Sequence, residues 1–176
     1  MNVPNVVLVI DALRGFLEPE GTLYCGDQTR SIIPTIERLL QREKEAGSQI
    51  IFICDNHAAD DPEFRLFPPH CVKGSSESEV VPELSKYAAV VVEKTRYSAF
   101  FQTCLEEMLR ELGPERVVVS GVCTSICVLL TVYDLHTRGY PVDVYVDCVA
   151  DFDPEAHAFA LRYISKILGA KLVELD

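Results

Sequence analysis

An aspartate, a lysine and a cysteine stand near the ends of three separate apolar runs. Asp11 follows Val6-Val7-Leu8-Val9-Ile10, Lys94 follows the run at 88–92, and Cys127 comes shortly after Val117-Val118-Val119. Gathered on one rim, these three side chains could run nucleophilic chemistry. A thiol in the first turn of a helix feels the partial positive charge of unpaired N–H groups, which favours its thiolate. Lys94 would add to that field. Asp11 could accept the thiol proton as general base and later return it to a leaving group. Cys123 is the rival nucleophile, but it stands in the turn before the helix. The alternative is that Cys127 packs inward as a small apolar residue, as buried cysteines mostly do. Spacing alone leaves both readings open.

A second constellation lies in the polar stretch after Cys54. Asp55 and His57 alternate by two, and His70 follows within Phe67-Pro68-Pro69-His70-Cys71. One carboxylate with two imidazoles is a common first shell for Zn²⁺ or Fe²⁺, and three protein ligands leave open positions. Glu63 is a candidate fourth ligand, direct or through water. Cys54 belongs to an apolar run and is discounted as a ligand. The alternative is that the two histidines meet only solvent. His136 and His157 sit in helical patterns without a partner at ligand spacing and are read as structural or surface residues. No phosphate-cradling glycine loop and no G-x-S-x-G elbow occurs.

The elements that must position these groups alternate. Short β-branched runs at 6–10, 50–54, 88–92, 117–119, 142–146 and 171–175 read as strands, the first two as strands buried on both faces. Between them, apolar residues at helical spacing predict helices over 32–46, 99–112, 125–138 and 154–168, the first stopped by Gly47 and the last opened by Pro154. Residues 55–78 have no period, and a loop of that length inside a compact domain is usually functional. Alternation predicts an α/β fold: three α/β/α layers around a six-stranded, mostly parallel, doubly wound (Rossmann-like) sheet. Right-handed crossovers bring the carboxyl ends of all strands to one rim, where ligands bind.

Length and charge bound the rest. The chain of 176 residues reads as one domain over 1–176 with a loop insertion at about 55–80. A net charge of −11 repels phosphate backbones and anionic lipid, so nucleic acid and membrane surfaces are poor partners. No apolar stretch approaches the roughly 18 residues of a membrane span. Met1-Asn2-Val3-Pro4 carries no basic lead into a hydrophobic segment, so the expectation is a cytoplasmic protein without a secretory signal. Seven cysteines, an odd count in such a setting, argue against a disulfide framework.

Over nearly its whole length the chain resembles the isochorismatase-like cysteine hydrolases, and within them the nicotinamidase (nicotinamidase/pyrazinamidase) subgroup. The resemblance rests on four stretches: Val9-Ile10-Asp11 with Phe16-Leu17, Glu93-Lys94-Thr95-Arg96-Tyr97-Ser98-Ala99-Phe100, Gly121-Val122-Cys123-Thr124-Ser125-Ile126-Cys127-Val128, and Asp55-Asn56-His57 with Pro62-Glu63-Phe64 and Pro69-His70. It implies the isochorismatase-like hydrolase fold, with Asp11, Lys94 and Cys127 as the catalytic triad. It also implies a cis peptide between Val122 and Cys123 that turns the Cys123 and Cys127 N–H groups toward one oxyanion. Asp55, His57 and His70, with Glu63 less firmly, become ligands of a divalent metal, Zn²⁺ first and Fe²⁺ or Mn²⁺ as alternatives. The implied reaction hydrolyses nicotinamide to nicotinate and ammonia through a cysteine thioester, a step of pyridine nucleotide salvage. Phe16, Phe67 and Tyr97 are candidates for packing on the substrate ring. Homo-oligomers, frequent in the family, are a further expectation by analogy.

Two positions depart from the family pattern. Gly15 stands where a second aspartate is frequent, and Ser125 follows Thr124 where an aspartate is frequent. The competing readings are a hydrolase of the same fold acting on another heterocyclic or carbamoyl amide, an isochorismatase-like enzyme, a metal-binding protein without catalysis, and a receiver-like signalling domain. The last also gathers aspartates and a lysine on a sheet's carboxyl rim, but its acidic pair at the first strand is missing here.

Overall fold

The computed structural model describes residues 5–175; the Met1-Asn2-Val3-Pro4 segment read for a leader lies outside them. Six parallel strands form one sheet: β1 (Val6–Ile10), β2 (Gln49–Asp55), β3 (Val91–Lys94), β4 (Val117–Val122), β5 (Val142–Ala150) and β6 (Lys171–Val173), in the order β3-β2-β1-β4-β5-β6. The chain grows outward from β1 to one edge, then returns and grows to the other. The crevice where that direction reverses lies between the carboxyl ends of β1 and β4, the place where such sheets bind ligands.

Helices cover both faces. They are α1 (Arg14–Leu17), α2 (Asp27–Arg30), α3 (Ile33–Glu45), α4 (Leu105–Leu112), α5 (Leu129–Thr137) and α6 (Pro154–Lys166). The pleat sorts β1 between two cores. Val7 and Val9 join Ile33, Ile36, Leu39 and Leu40 of α3, whereas Val6, Leu8 and Ile10 join Leu109 of α4, Val132 and Leu135 of α5, and Ile164 of α6. Both faces of β1 are therefore apolar, which is why its sequence shows no alternation. Among the described residues no helix is long and apolar enough to cross a membrane.

The departures from expectation have local causes. The helix expected from 99 begins at Leu105. Side-chain oxygens take over the backbone in between: Thr131 Oγ1 accepts from the Ala99 amide at 3.1 Å, Ser98 Oγ from Phe100, and Thr103 Oγ1 from Leu105. The third strand starts at Val91 rather than 88 because its pairing with β2 runs Phe52 to Val91 through Asp55 to Lys94. Lys94 thus closes the strand instead of following it. β5 continues to Ala150 across an irregularity opposite Val119 and Gly121, and β6 stops at Val173. Residues 55–80 are more ordered than a bare loop, with 3₁₀ turns at Pro62–Arg65 and Ser76–Ser78 and isolated bridges His57 to Val72 and Leu13 to Val80.

Candidate active site

The buried ammonium of Lys94 ties three elements together. Its Nζ lies 2.9 Å from Asp11 Oδ2 at the end of β1, 2.5 Å from Asp55 Oδ1 at the end of β2, and 3.6 Å from Cys127 Sγ. All four side chains are buried. Asp11 has a φ of +51°, rare for a residue with a side chain. Its Oδ1 accepts from the Asp55 amide at 3.0 Å, which fixes the carboxylate between the two strands. Oδ2 faces Lys94 without an aligned hydrogen bond and keeps a lone pair for a proton.

The Cys127 segment reaches the rim because β4 can pass very close to β1. At Gly121 φ is +112°, and a Cβ there would stand 1.9 Å from the carbonyl oxygen of Ile10, so only glycine fits. The Val122–Cys123 peptide is cis, matching the expectation. The helix expected over 125–138 opens instead with a wide π turn over Thr124–Val128: the Val128 amide donates to the Cys123 carbonyl at 3.2 Å, and α5 proper starts at Leu129. π turns of this kind occur frequently at functional sites.

Charge within the cluster corrects one expectation. Burial pushes the Cys127 thiol well above its usual pKa, and Asp11 and Asp55 push the same way, so the lowering by Lys94 is outweighed. These fields favour the thiol over the thiolate that the helix dipole alone would favour. Burial, then the Asp55 charge, raises Asp11 to about 6 against the pull of Lys94. Lys94 holds its proton firmly, because the two carboxylates overcome the penalty of burial. The arrangement pairs a protonated thiol with a carboxylate basic enough to receive its proton.

Beside this cluster Asp55, His57 and His70 bring one donor atom each within 4.8 Å of one another. Asp61 Oδ2 lies 3.1 Å from His57 Nδ1, and the Pro68 carbonyl 2.9 Å from His70 Nδ1. Each of these oxygens can only accept a hydrogen bond, so each Nδ1 donates, and a neutral ring then offers its Nε2 lone pair to a metal. His57 Nε2 is buried without a hydrogen-bond partner, 3.6 Å from Asp55 Oδ2. Burial opposes charge on His57, yet Asp55 and Asp61 raise its pKa overall; burial and Asp55 raise that of Glu63. Lone pairs converging where positive charge is favoured fit a bound divalent cation. Glu63 stands farther out, with Oε1 4.0 Å from His70 Nε2, and completes no trio with Asp55.

Asp61, Arg96 and Phe64 escaped sequence reasoning. Arg96 donates to both oxygens of Asp61 at 3.0 and 3.1 Å, while Phe64 packs edge-on against both imidazoles. An aspartate four residues after a candidate ligand was the available signal for Asp61. His157, read as structural or surface, meets Thr124 Oγ1 at 2.9 Å, and Asp151 Oδ2 accepts from the Ser125 amide at 2.7 Å; both contacts hold the π turn. Gly15 has a steric reason: a Cβ there would meet Cys71 Sγ at 2.8 Å and Glu77 at 3.1 Å. A second aspartate does not fit that position.

A cavity of about 370 Å³ joins the two groups. Asp11, Cys123 and Cys127 line it together with Asp55, Glu63 and His70, and Phe16, Phe67 and Tyr97 complete its walls. All three aromatics expected against a substrate ring therefore face the cavity.

Residues 5–174 match the isochorismatase domain family. The chain is similar to the crystal structure of nicotinamidase/pyrazinamidase PncA from Bacillus subtilis, with a TM-score of 0.92 and 38% identity over 97% of this chain and 100% of the other. It is also similar to the pyrazinamidase/nicotinamidase of Streptococcus mutans UA159, with a TM-score of 0.92 and 33% identity over 96% and 99% of the two chains. The pyrazinamidase of Pyrococcus horikoshii, solved in complex with zinc, has a TM-score of 0.89 and 31% identity over 97% and 99%.

Proposed function

The chain belongs to the isochorismatase family, and from that membership we propose that it is a cysteine amidohydrolase converting nicotinamide to nicotinate and ammonia. One observation carries this reading: Lys94 Nζ stands 2.9 Å from Asp11 and 3.6 Å from Cys127, and the cavity that Asp11 and Cys127 line is lined also by Asp55 and His70, two of the three clustered donors Asp55, His57 and His70. The first is a set for splitting an amide, the second for gripping a lone pair on the same substrate.

Attack is coupled to proton transfer. The Cys127 sulfur bonds to the carboxamide carbon while its proton passes to Asp11. The oxygen that gains charge is held by the backbone N–H groups of Cys123 and Cys127. Asp11 returns the proton to the departing nitrogen, the C–N bond breaks, and ammonia leaves a thioester. Asp11 then takes a proton from water, whose oxygen attacks the same carbon. Breaking the C–S bond releases the acid and restores the thiol. Lys94 keeps Asp11 ionised between transfers. Asp55, His57 and His70 would hold a divalent ion, with Glu63 beside it. An ion held there would supply a Lewis acid for a lone pair of the substrate ring and so favour one orientation of the carboxamide. Phe16, Phe67 and Tyr97 sandwich the ring. The whole chain acts as one domain on a small cytoplasmic substrate, independent of nucleic acid and membranes; a homo-oligomer is compatible with this reading.

The test is an ammonia-release assay with nicotinamide and pyrazinamide in parallel with N-carbamoyl amides, on protein whose zinc, iron and manganese contents are measured. Release from the ring amides is expected. Turnover confined to carbamoyl substrates would replace this reading with the neighbouring one.

A further inference from the structure

Cys25 and Cys123 bring their sulfurs to 3.6 Å across the wall of the same cavity. Neither belongs to the Asp11–Lys94–Cys127 cluster through its sulfur. Cys123 is buried and anchored at the end of β4, in the segment whose carbonyl closes the π turn. Cys25 is half-buried in the segment between α1 and α2, where Thr22, Leu23 and Tyr24 also line the cavity. We propose that Cys25 and Cys123 form an oxidisable dithiol, a modification site for hydroperoxides that closes the pocket by cross-linking its wall.

The chemistry needs only a two-electron oxidant such as hydrogen peroxide. The more accessible Cys25 sulfur attacks one peroxide oxygen; the O–O bond breaks, the S–O bond of a sulfenic acid forms, and water leaves. The Cys123 sulfur then attacks Cys25, forming the S–S bond as the S–O bond breaks. Hydroxide departs and takes the Cys123 proton as a second water. The two sulfurs have lost two electrons and the peroxide has gained them. A reducing thiol reverses the step by exchange.

Bond formation must shorten 3.6 Å to about 2 Å. Cys123 directly follows β4 and its carbonyl is held by the Ile126 and Val128 amides, so Cys25 supplies most of the movement. Its amide donates to the Phe16 carbonyl at 2.9 Å, and Thr22 is fastened to Glu77 at 2.7 Å, which makes the segment a short tethered flap. Drawing it toward Cys123 narrows the cavity that both cysteines line. It also pulls on Cys123, whose N–H the proposed reaction uses. The effect on turnover rests on that reading; the bond itself does not.

The test separates the two. Cys127→Ala removes the sulfur most easily confused with the pair, leaving six cysteines of the original seven. After hydrogen peroxide, non-reducing peptide mapping should join the Cys25 and Cys123 peptides with loss of two hydrogens, and titratable thiols should fall by two. Dithiothreitol should restore both. Adding Cys25→Ser should abolish the link. The unsubstituted protein should give the same map, losing its activity in step with the link and regaining it with reductant. Unchanged thiols, a link to another cysteine, or Cys25 recovered only as sulfinic or sulfonic acid would overturn the dithiol. A correct link with unaltered turnover would overturn its role as a closure.

Discussion

At the scale of single residues, one ammonium decides the behaviour of three neighbours. Lys94 sits between two carboxylates and a thiol with almost no access to solvent. Replacing it with Met strands both carboxylates, and breaking a buried pair in this way costs about 3–5 kcal/mol. Thermal unfolding should register that loss as a fall of roughly 6–20 °C for a chain of this size. The same substitution removes the positive charge that lowers Asp11, so the acid limb of the pH–rate profile should move upward. In the unsubstituted enzyme that limb should lie near pH 6. Burial and Asp55 raise the base, and only its ionised form accepts the thiol proton, so rate is lost as pH falls through about 6. A limb near 4, the ordinary carboxylate range, would contradict a buried base. Cys127→Ala should abolish ammonia release with an unchanged melting curve. Activity retained at a measurable fraction would move the nucleophile to Cys123.

At the scale of elements, the site depends on how closely β4 approaches β1. Gly121→Ala would set a methyl 1.9 Å from the Ile10 carbonyl oxygen in a backbone conformation with φ of +112°. The loss should exceed the roughly 1–3 kcal/mol of backbone strain alone, because β1 and β4 must also part. Denaturant unfolding checks the stability, and a fall in kcat larger than the fall in folded fraction checks the displacement of the Cys127 turn. Much of this architecture was legible. The β-branched runs gave the strands, their alternation with helices gave the parallel sheet, and the ends of those strands gave Asp11, Asp55 and the turn to Cys127. What escaped leaves no periodic signal, and much of it depends on partners distant in sequence. The late start of α4 follows from Thr131 and Ser98 capturing amides, and β3 takes its register from β2. Neither Asp61 holding His57 nor His157 reaching Thr124 leaves a periodic trace in the chain. The helix-dipole argument for a thiolate was incomplete for a related reason: it weighed the local field of one helix and omitted two carboxylates delivered by β1 and β2, which favour the thiol.

At the scale of the molecule, the distribution of charge asks for a cation. The chain carries −11 overall, and its interior repeats the imbalance. Asp11 and Asp55 oppose the single positive charge of Lys94, Glu63 is largely covered close by, and two imidazole lone pairs point inward with one orphaned. The unfolded chain solvates all of these groups, so a divalent ion that binds only the folded site adds stability by mass action. At a free concentration about 100 times its dissociation constant the gain is about 2.7 kcal/mol, equivalent to roughly 5–11 °C in Tm for a chain of 150–250 residues. Protein stripped with a chelator should therefore melt lower, and stoichiometric zinc should restore it whether or not substrate is present. His57→Ala should remove both the metal content and the zinc-dependent rise. Asp61→Asn keeps the ligands but loosens the imidazole, and should weaken metal affinity by about 10–100-fold. Coincident melting curves for stripped and zinc-loaded protein would mean that protons alone balance the buried carboxylates. The histidines would then serve as hydrogen-bonding groups around the cavity rather than as ligands.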